Sequence, residues 1–179
     1  MPTIESVTLL NGEMMPKLGF GVYLSPPEVL ERLHAEGKAK SIGVSNFGIQ
    51  HIEGLKRTAK VWPPHVNQIE LHPWLQQKEI VSYCNNHGIT VQAYCPLARG
   101  QRFDDVTLQR VAEKHDVAPS QILIKYSLQK GWVPLPKSDN PARIEANFNV
   151  QFTLDNDDMI GLDGLDQGRA GALVQAVDN

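Results

Sequence analysis

Four short apolar runs, each followed by a stretch of helical periodicity, set the tightest limit on how this chain can fold. They are Ser41–Ser45, Val66–Leu71, Ile89–Tyr94 and Trp132–Pro136. All are too short for helices of ordinary length and are bounded by turn residues, so they read as buried strands. The segments after them place apolar residues three and four apart. Ile49, Ile52 and Leu55 mark the first helix, and Ile80, Val81 and Cys84 the second, which stops at Gly88. Two more follow, Val106 to His115 and Ser120 to Lys130, the latter opened by Pro119 and closed by Gly131. A short helix around Pro141 to Asn147 comes last. Parallel neighbours in a sheet need a long crossover and helices supply it, so the alternation predicts βα units on a parallel sheet. The segments share no repeated sequence, which excludes a solenoid.

Ahead of these units, Val7–Leu10 and Met14-Met15 flank Asn11-Gly12 and read as a small hairpin. Lys17–Tyr23 is a further short strand. Ser25-Pro26-Pro27-Glu28 opens a helix, with serine as cap, proline at the first helical position and glutamate three residues after the cap. Val29, Leu30 and Leu33 form its apolar stripe, and Gly37 ends it. The tail from Gly161 to Asn179, rich in Gly, Asp and Ala, is expected to be loosely held. At 179 residues the chain is long enough for one domain with a real core and short of two.

A formal charge of -3 with no block of basic residues gives no footing for nucleic acid or an anionic membrane surface. No apolar run approaches the ~20 residues that span a bilayer. Met1-Pro2-Thr3-Ile4-Glu5 lacks the basic and apolar regions of a signal peptide. Cys84 and Cys95 have no metal-ligand spacing, and the six histidines form no HExxH pair. A cytoplasmic protein with reduced cysteines and no metal is the expectation.

What makes the chain legible is the polar residues at the C-terminal ends of its strands, the end where βα folds bind ligands. They are Tyr23, Ser45-Asn46, Gln68, Tyr94, and Lys137-Ser138 with Arg143 close behind. Ser, Asn and Gln each donate and accept, which suits an amide. A tyrosine beside them offers a flat ring to an aromatic heterocycle. Lys137, Ser138 and Arg143 gather at a helix N-terminus, where free N–H groups and the helix dipole favour a phosphate. Singly, each has a plainer explanation as a turn, a core aromatic or a surface charge; together they describe a site for an amide-bearing ring carrying phosphate. A nicotinamide dinucleotide fits. Gly19-x-Gly21 lacks the third glycine of a dinucleotide fingerprint and carries little weight.

These segments resemble the aldo-keto reductase family. Leu18–Tyr23 is similar to its first barrel strand, and Glu36-Gly37-Lys38 through Ile42-Gly43-Val44-Ser45-Asn46-Phe47 to the segment leading through its fifth. Asn67–Pro73 resembles the sixth-strand motif, and Ala93-Tyr94-Cys95-Pro96-Leu97 the seventh. Pro136-Lys137-Ser138 with Arg143-Ile144 and Asn147-Phe148 resembles the eighth strand and its phosphate-binding helix. The resemblance implies NADP(H) as cofactor. Ser45, Asn46 and Gln68 would hold the nicotinamide carboxamide, Tyr94 would stack on the ring, and Tyr23 and Leu97 would complete the cofactor set. Lys137, Ser138, Arg143 and Asn147 would hold the adenosine end. Ala146, where the family usually has an acidic residue, and Asp139, a negative charge beside the phosphate, depart from the pattern.

A larger departure is internal. Tyr23 is followed almost at once by Ser25-Pro26-Pro27-Glu28, where the family interposes strands two to four. Those strands carry its catalytic Asp, Tyr, Lys and His, and no equivalent segment exists in this chain. The resemblance therefore implies one domain over 1–179, internally deleted after about residue 24. Its fold class would be α/β: an incomplete (β/α)8 TIM barrel of about five parallel strands plus an N-terminal hairpin. It implies family-level reduction of small carbonyl substrates, with no catalytic residue identified and catalysis expected to be lost or impaired. A non-catalytic half-barrel that binds NADP weakly, or associates with itself or another chain through open sheet edges, is the alternative. A product of a lost exon that never folds stably is a third.

Overall fold

The structure is a computed structural model and describes residues 6–8, 14–16 and 27–178. The expected strand Lys17–Tyr23, with Tyr23 itself, the Asn11-Gly12 turn and the Ser25 cap, lies outside the described residues. Two compact units divide at Ala39 and Lys40.

In the first unit, strands β1 (Ser6–Thr8) and β2 (Met14–Pro16) pair antiparallel, with Val7 opposite Met15. Helix α1 covers Pro27–Ala35. It ends where Gly37 takes a φ of +69°, a conformation that costs glycine little. The amides of Lys38 and Ala39 then both return to the Leu33 carbonyl.

The second unit holds the βα repeat. Its elements run β3 (Gly43–Ser45), α2 (Ile49–Leu55), β4 (Val66–Glu70), α3 (Lys78–Asn86), β5 (Thr90–Tyr94), α4 (Val106–His115), α5 (Pro119–Gln129), β6 (Val133–Leu135), α6 (Pro141–Phe148) and α7 (Asn156–Asp163). Among the described residues β3 to β6 form a parallel sheet of four strands in sequence order. It is the α/β arrangement read from the sequence, matching part of a (β/α)8 barrel.

Period-two alternation gives this sheet two unlike faces. Ile69, Val91 and Ala93 are buried in one core with Ile52, Ile80, Leu108, Val111, Ile122 and Leu123 from the helices. Gln68, Gln92 and Tyr94 occupy the alternate positions and are only half-buried. Register sets Ser45 beside Gln68, Gln68 beside Gln92, and Glu70 beside Tyr94, so the polar side chains form rows across the strands. Gly43 has to lack a side chain here, since a Cβ would lie 2.5 Å from the Val66 carbonyl oxygen.

The C-terminal region corrects the expectation of a loose tail. Helix α7 already spans Asn156–Asp163, and its N-cap Asp155 accepts from the Asp158 amide at 3.0 Å. Asp158 is buried and bound by Lys114 at 2.8 Å and His115 at 2.7 Å, which ties α7 to α4. Asp163 accepts from the Tyr126 hydroxyl at 2.5 Å and from Lys130 at 2.9 Å, tying it to α5. Beyond it, the Gln167 amide bonds the Trp74 carbonyl, and Gly171 lies so close that a Cβ would sit 1.8 Å from the same oxygen. Acidic and small residues suggest a solvated tail by composition. Here the acids each find a cation or a buried donor, and the glycine permits close backbone approach.

Candidate functional site

Four of the strand-end residues, Ser45, Asn46, Gln68 and Tyr94, come together. Ser45 is the last residue of β3, and Asn46 after it adopts a φ of +56°, a left-handed conformation that asparagine tolerates better than most residues. The turn seats the Asn46 amide 2.9 Å from the Gln68 carbonyl. The Ser45 hydroxyl donates to the same carbonyl at 2.9 Å. The Tyr94 hydroxyl, at the end of β5, donates to Asn46 Oδ1 at 3.1 Å. Gln68 Nε2 donates to Gln92 Oε1 at 3.0 Å. Ser45, Asn46, Gln68 and Tyr94 are thus one connected polar cluster on the half-buried face of the sheet. Leu97, half-buried just past β5, packs against the core. Tyr23 lies outside the described residues.

Burial pushes the Tyr94 hydroxyl up to about 12, helped by the Glu70 charge and opposed by the bond to Asn46. A general acid works best with its pKa near the working pH. Tyr94 is moved the other way, so its hydroxyl stays neutral and serves as the donor to Asn46.

At the other end of the site, past β6, Arg143 Nε donates to Ser138 Oγ at 3.3 Å, and Lys137 pairs with Asp139. All four are polar groups on the surface around the start of α6, with Asn147 half-buried later on that helix. One point of the sequence reading changes. Asn140 caps α6 by accepting from the Arg143 amide at 3.1 Å, and Pro141 has no amide hydrogen to offer. The helix therefore presents fewer free N–H groups than expected, and a phosphate here would be met chiefly by the side chains of Lys137, Ser138 and Arg143. The asparagine directly before a proline was the signal for that cap.

The sequence reading also misses Gln92 and the pair Glu70–His72. Glu70 ends β4 fully buried. One carboxylate oxygen accepts from His72 Nε2 at 3.1 Å and the Leu173 amide at 2.7 Å; the other accepts from the amides of Val174 and Gln175, each at 2.8 Å. Burial works to raise its pKa, but His72 and the three backbone donors outweigh it and hold the carboxyl at about 2. A charged residue inside an otherwise apolar strand was the available signal. Its partners, a hundred residues away, were not visible in any local pattern.

Set against known proteins, the sequence profile of the aldo/keto reductase family matches residues 22–167. The chain belongs to the aldo/keto reductase family. It is 41% identical over 148 residues to the oxidoreductase YtbE of Bacillus subtilis, covering 82% of this chain and 52% of that protein. To the glyoxal reductase of the same organism it is 42% identical over 139 residues, 77% of this chain and 50% of the relative. Among solved structures, a mutant of Gox0644 in complex with NADPH superposes with a TM-score of 0.77 at 39% identity, covering 83% of this chain and 54% of that one. The chain spans about half the length of the curated relatives it matches. The family is one of oxidoreductases, and NADPH-bound members are among the structures this chain resembles. The strand-end amides and the cations beside β6 are a donor and acceptor set that fits such a cofactor. No helix among the described residues is long and apolar enough to cross a membrane.

Proposed function

We propose that this chain is a cytoplasmic NADP(H)-binding half-barrel in which carbonyl reduction is lost or severely impaired. The observation that carries this reading is the connected cluster Ser45, Asn46, Gln68 and Tyr94 at the strand ends, with Lys137, Ser138 and Arg143 past the last strand. Ser45, Asn46 and Gln68 would hold the carboxamide, and Tyr94 and Leu97 the ring. Lys137, Ser138, Arg143 and Asn147 would hold the adenosine end. Bound there, a reduced nicotinamide would supply a hydride. The chain lacks the segments that carry the family's Asp, Tyr, Lys and His, and Tyr94 is poised against acting as the acid. Its residues would bind and orient the ring, and the resemblance identifies no general acid among them.

A preference for the phosphorylated cofactor tests the adenosine end. Arg143→Ala removes a cation whose guanidinium is already held beside Ser138. It should weaken NADPH binding by roughly tenfold and leave NADH binding within about threefold, since charge-assisted contacts contribute more than neutral ones. Equal losses for both cofactors would remove the 2′-phosphate from the account.

A second reading rests on the sheet edges. Among the described residues β3 and β6 have one strand partner each. Leu135 on β6 is exposed, as are Ile144 and Phe148, one helical turn apart on α6; Phe148 is 84% exposed. Open parallel edges beside apolar side chains favour association with a second chain. Sedimentation as a dimer would support that reading, and a monomer at high concentration would remove it.

A further inference from the structure

A groove of about 280 Å³ lies between α3 and the turn that follows α5, and it shares no residue with the strand-end cluster. Lys78, Ser82 and Asn85, four and three residues apart, form a polar stripe along α3 on one side of it. Lys130 lines the other side. Its floor is made by Gln76 and Trp132, which are 1% and 3% exposed. Both N–H groups of the Gln76 amide are committed: Nε2 donates to the Pro73 carbonyl at 3.0 Å and to the Asp163 carbonyl at 2.9 Å. That fixes the amide, since turning it over would set its oxygen against two carbonyl oxygens. What remains is Oε1, an acceptor with no hydrogen-bond partner among the described residues. Trp132 Nε1, which can only donate, has none either. Buried polar groups are almost always paired, so an acceptor and a donor left over in the floor of one groove point to a group that meets both.

A hydroxyl donates one hydrogen and accepts another, which answers Gln76 Oε1 and Trp132 Nε1 together. A carboxylate answers only the indole, and an ammonium only the amide. The two lysines do not tilt the groove toward anions, because Lys78 is paired with Asp166 at 2.9 Å and Lys130 with Asp163 at 2.9 Å. Val81 and the Trp132 ring are its main apolar surfaces, so a purely apolar ligand would gain little there. The exposed Ser82 hydroxyl and Asn85 amide add further donors and acceptors along the wall. Its volume is that of several water molecules and near the lower end for small-molecule sites, which suits a ligand the size of a single sugar ring. We propose that this groove binds a neutral polyhydroxy ligand, a sugar or a polyol, with one hydroxyl seated against Gln76 and Trp132.

The test uses the full chain labelled with 5-fluorotryptophan, so that Trp62, Trp74 and Trp132 report separately by fluorine NMR. The probe is methyl α-D-glucopyranoside, a sugar locked in its ring form, with no carbonyl for a reductase to act on. It should shift the Trp132 resonance saturably, with a Kd of about 0.1–10 mM, and leave Trp62 and Trp74 in place. Inorganic phosphate at equal ionic strength should leave all three in place. Asn85→Phe fills the groove from an exposed position; it should weaken the sugar by at least about tenfold while the melting temperature stays within about 2 °C. Trp132→Phe removes the donor and, followed through the ligand's own NMR signals, should weaken the sugar about threefold to tenfold. If that variant does not melt cooperatively, Asn85→Phe decides alone. Equal shifts at all three tryptophans, phosphate bound as tightly as the sugar, or unchanged affinity in Asn85→Phe would each overturn the inference. So would the lack of a saturable shift at Trp132, which would leave water as the partner of the two groups. The cofactor reading stands or falls separately from these results.

Discussion

Replacing Glu70 with alanine should lower the melting temperature by about 10 °C and expose the last dozen residues to protease. The carboxylate is fully buried and accepts from His72 and from three consecutive amides of the C-terminal segment. Removing it leaves four donors that must either stay unpaired or pull away to water. Losses of this kind cost about 3 kcal/mol in all, because each orphaned buried donor forfeits its solvation. For a unit of this size that corresponds to the stated shift. Differential scanning calorimetry and timed proteolysis would measure it. Glu70→Gln should fall between, since it keeps the shape but has one accepting oxygen. Acid should act like the mutation. The carboxyl has an ordinary value of 4.5 and is held at about 2 in the fold. Its contribution is therefore complete above about pH 4.5 and declines as the pH falls toward 2. A melting temperature unchanged by Glu70→Ala would show that the tail is not fastened as described.

The second large effect concerns chemistry. Purified chain supplied with NADPH and a small aldehyde should oxidise the cofactor at least ~10²–10⁴-fold more slowly than a full-length family member assayed beside it, as expected when a positioned general acid is missing. On the proposed reading that factor is a lower limit, because the tuning partners of that acid and the segments around it would be missing too. Tyr94 does not fill the gap: among the described residues its hydroxyl bonds Asn46 and no lysine, and burial raises its pKa. A rate within about tenfold of the full-length enzyme would place a working acid somewhere in this chain.

Local patterns carried the fold a long way. The strands β4 and β5 and the helices α4, α5 and α6 fall within a residue or two of their apolar runs and their Pro and Gly boundaries, because those signals are local and strong. The strand-end positions of the candidate residues were legible for the same reason: they are ordered by the chain itself, so Ser45, Asn46, Gln68 and Tyr94 could be placed on one rim before any contact was known. What escaped depended on distant partners. Gln92 has meaning only through the register that sets it against Gln68. Glu70 is explained by residues 173–175, and Asp158 and Asp163 of α7 by Lys114, His115, Tyr126 and Lys130. Composition reads such residues as solvated, whereas tertiary pairing makes them fasteners.

The proposed strand-end cofactor site, in a chain that spans about half of its relatives' length, is tested by titrating NADPH into the purified chain and following quenching of its tryptophan and tyrosine fluorescence. A cooperative thermal melt is expected, together with saturable quenching and a Kd in the range of about 1–100 μM. A chain that melts cooperatively yet shows no saturable quenching would contradict it.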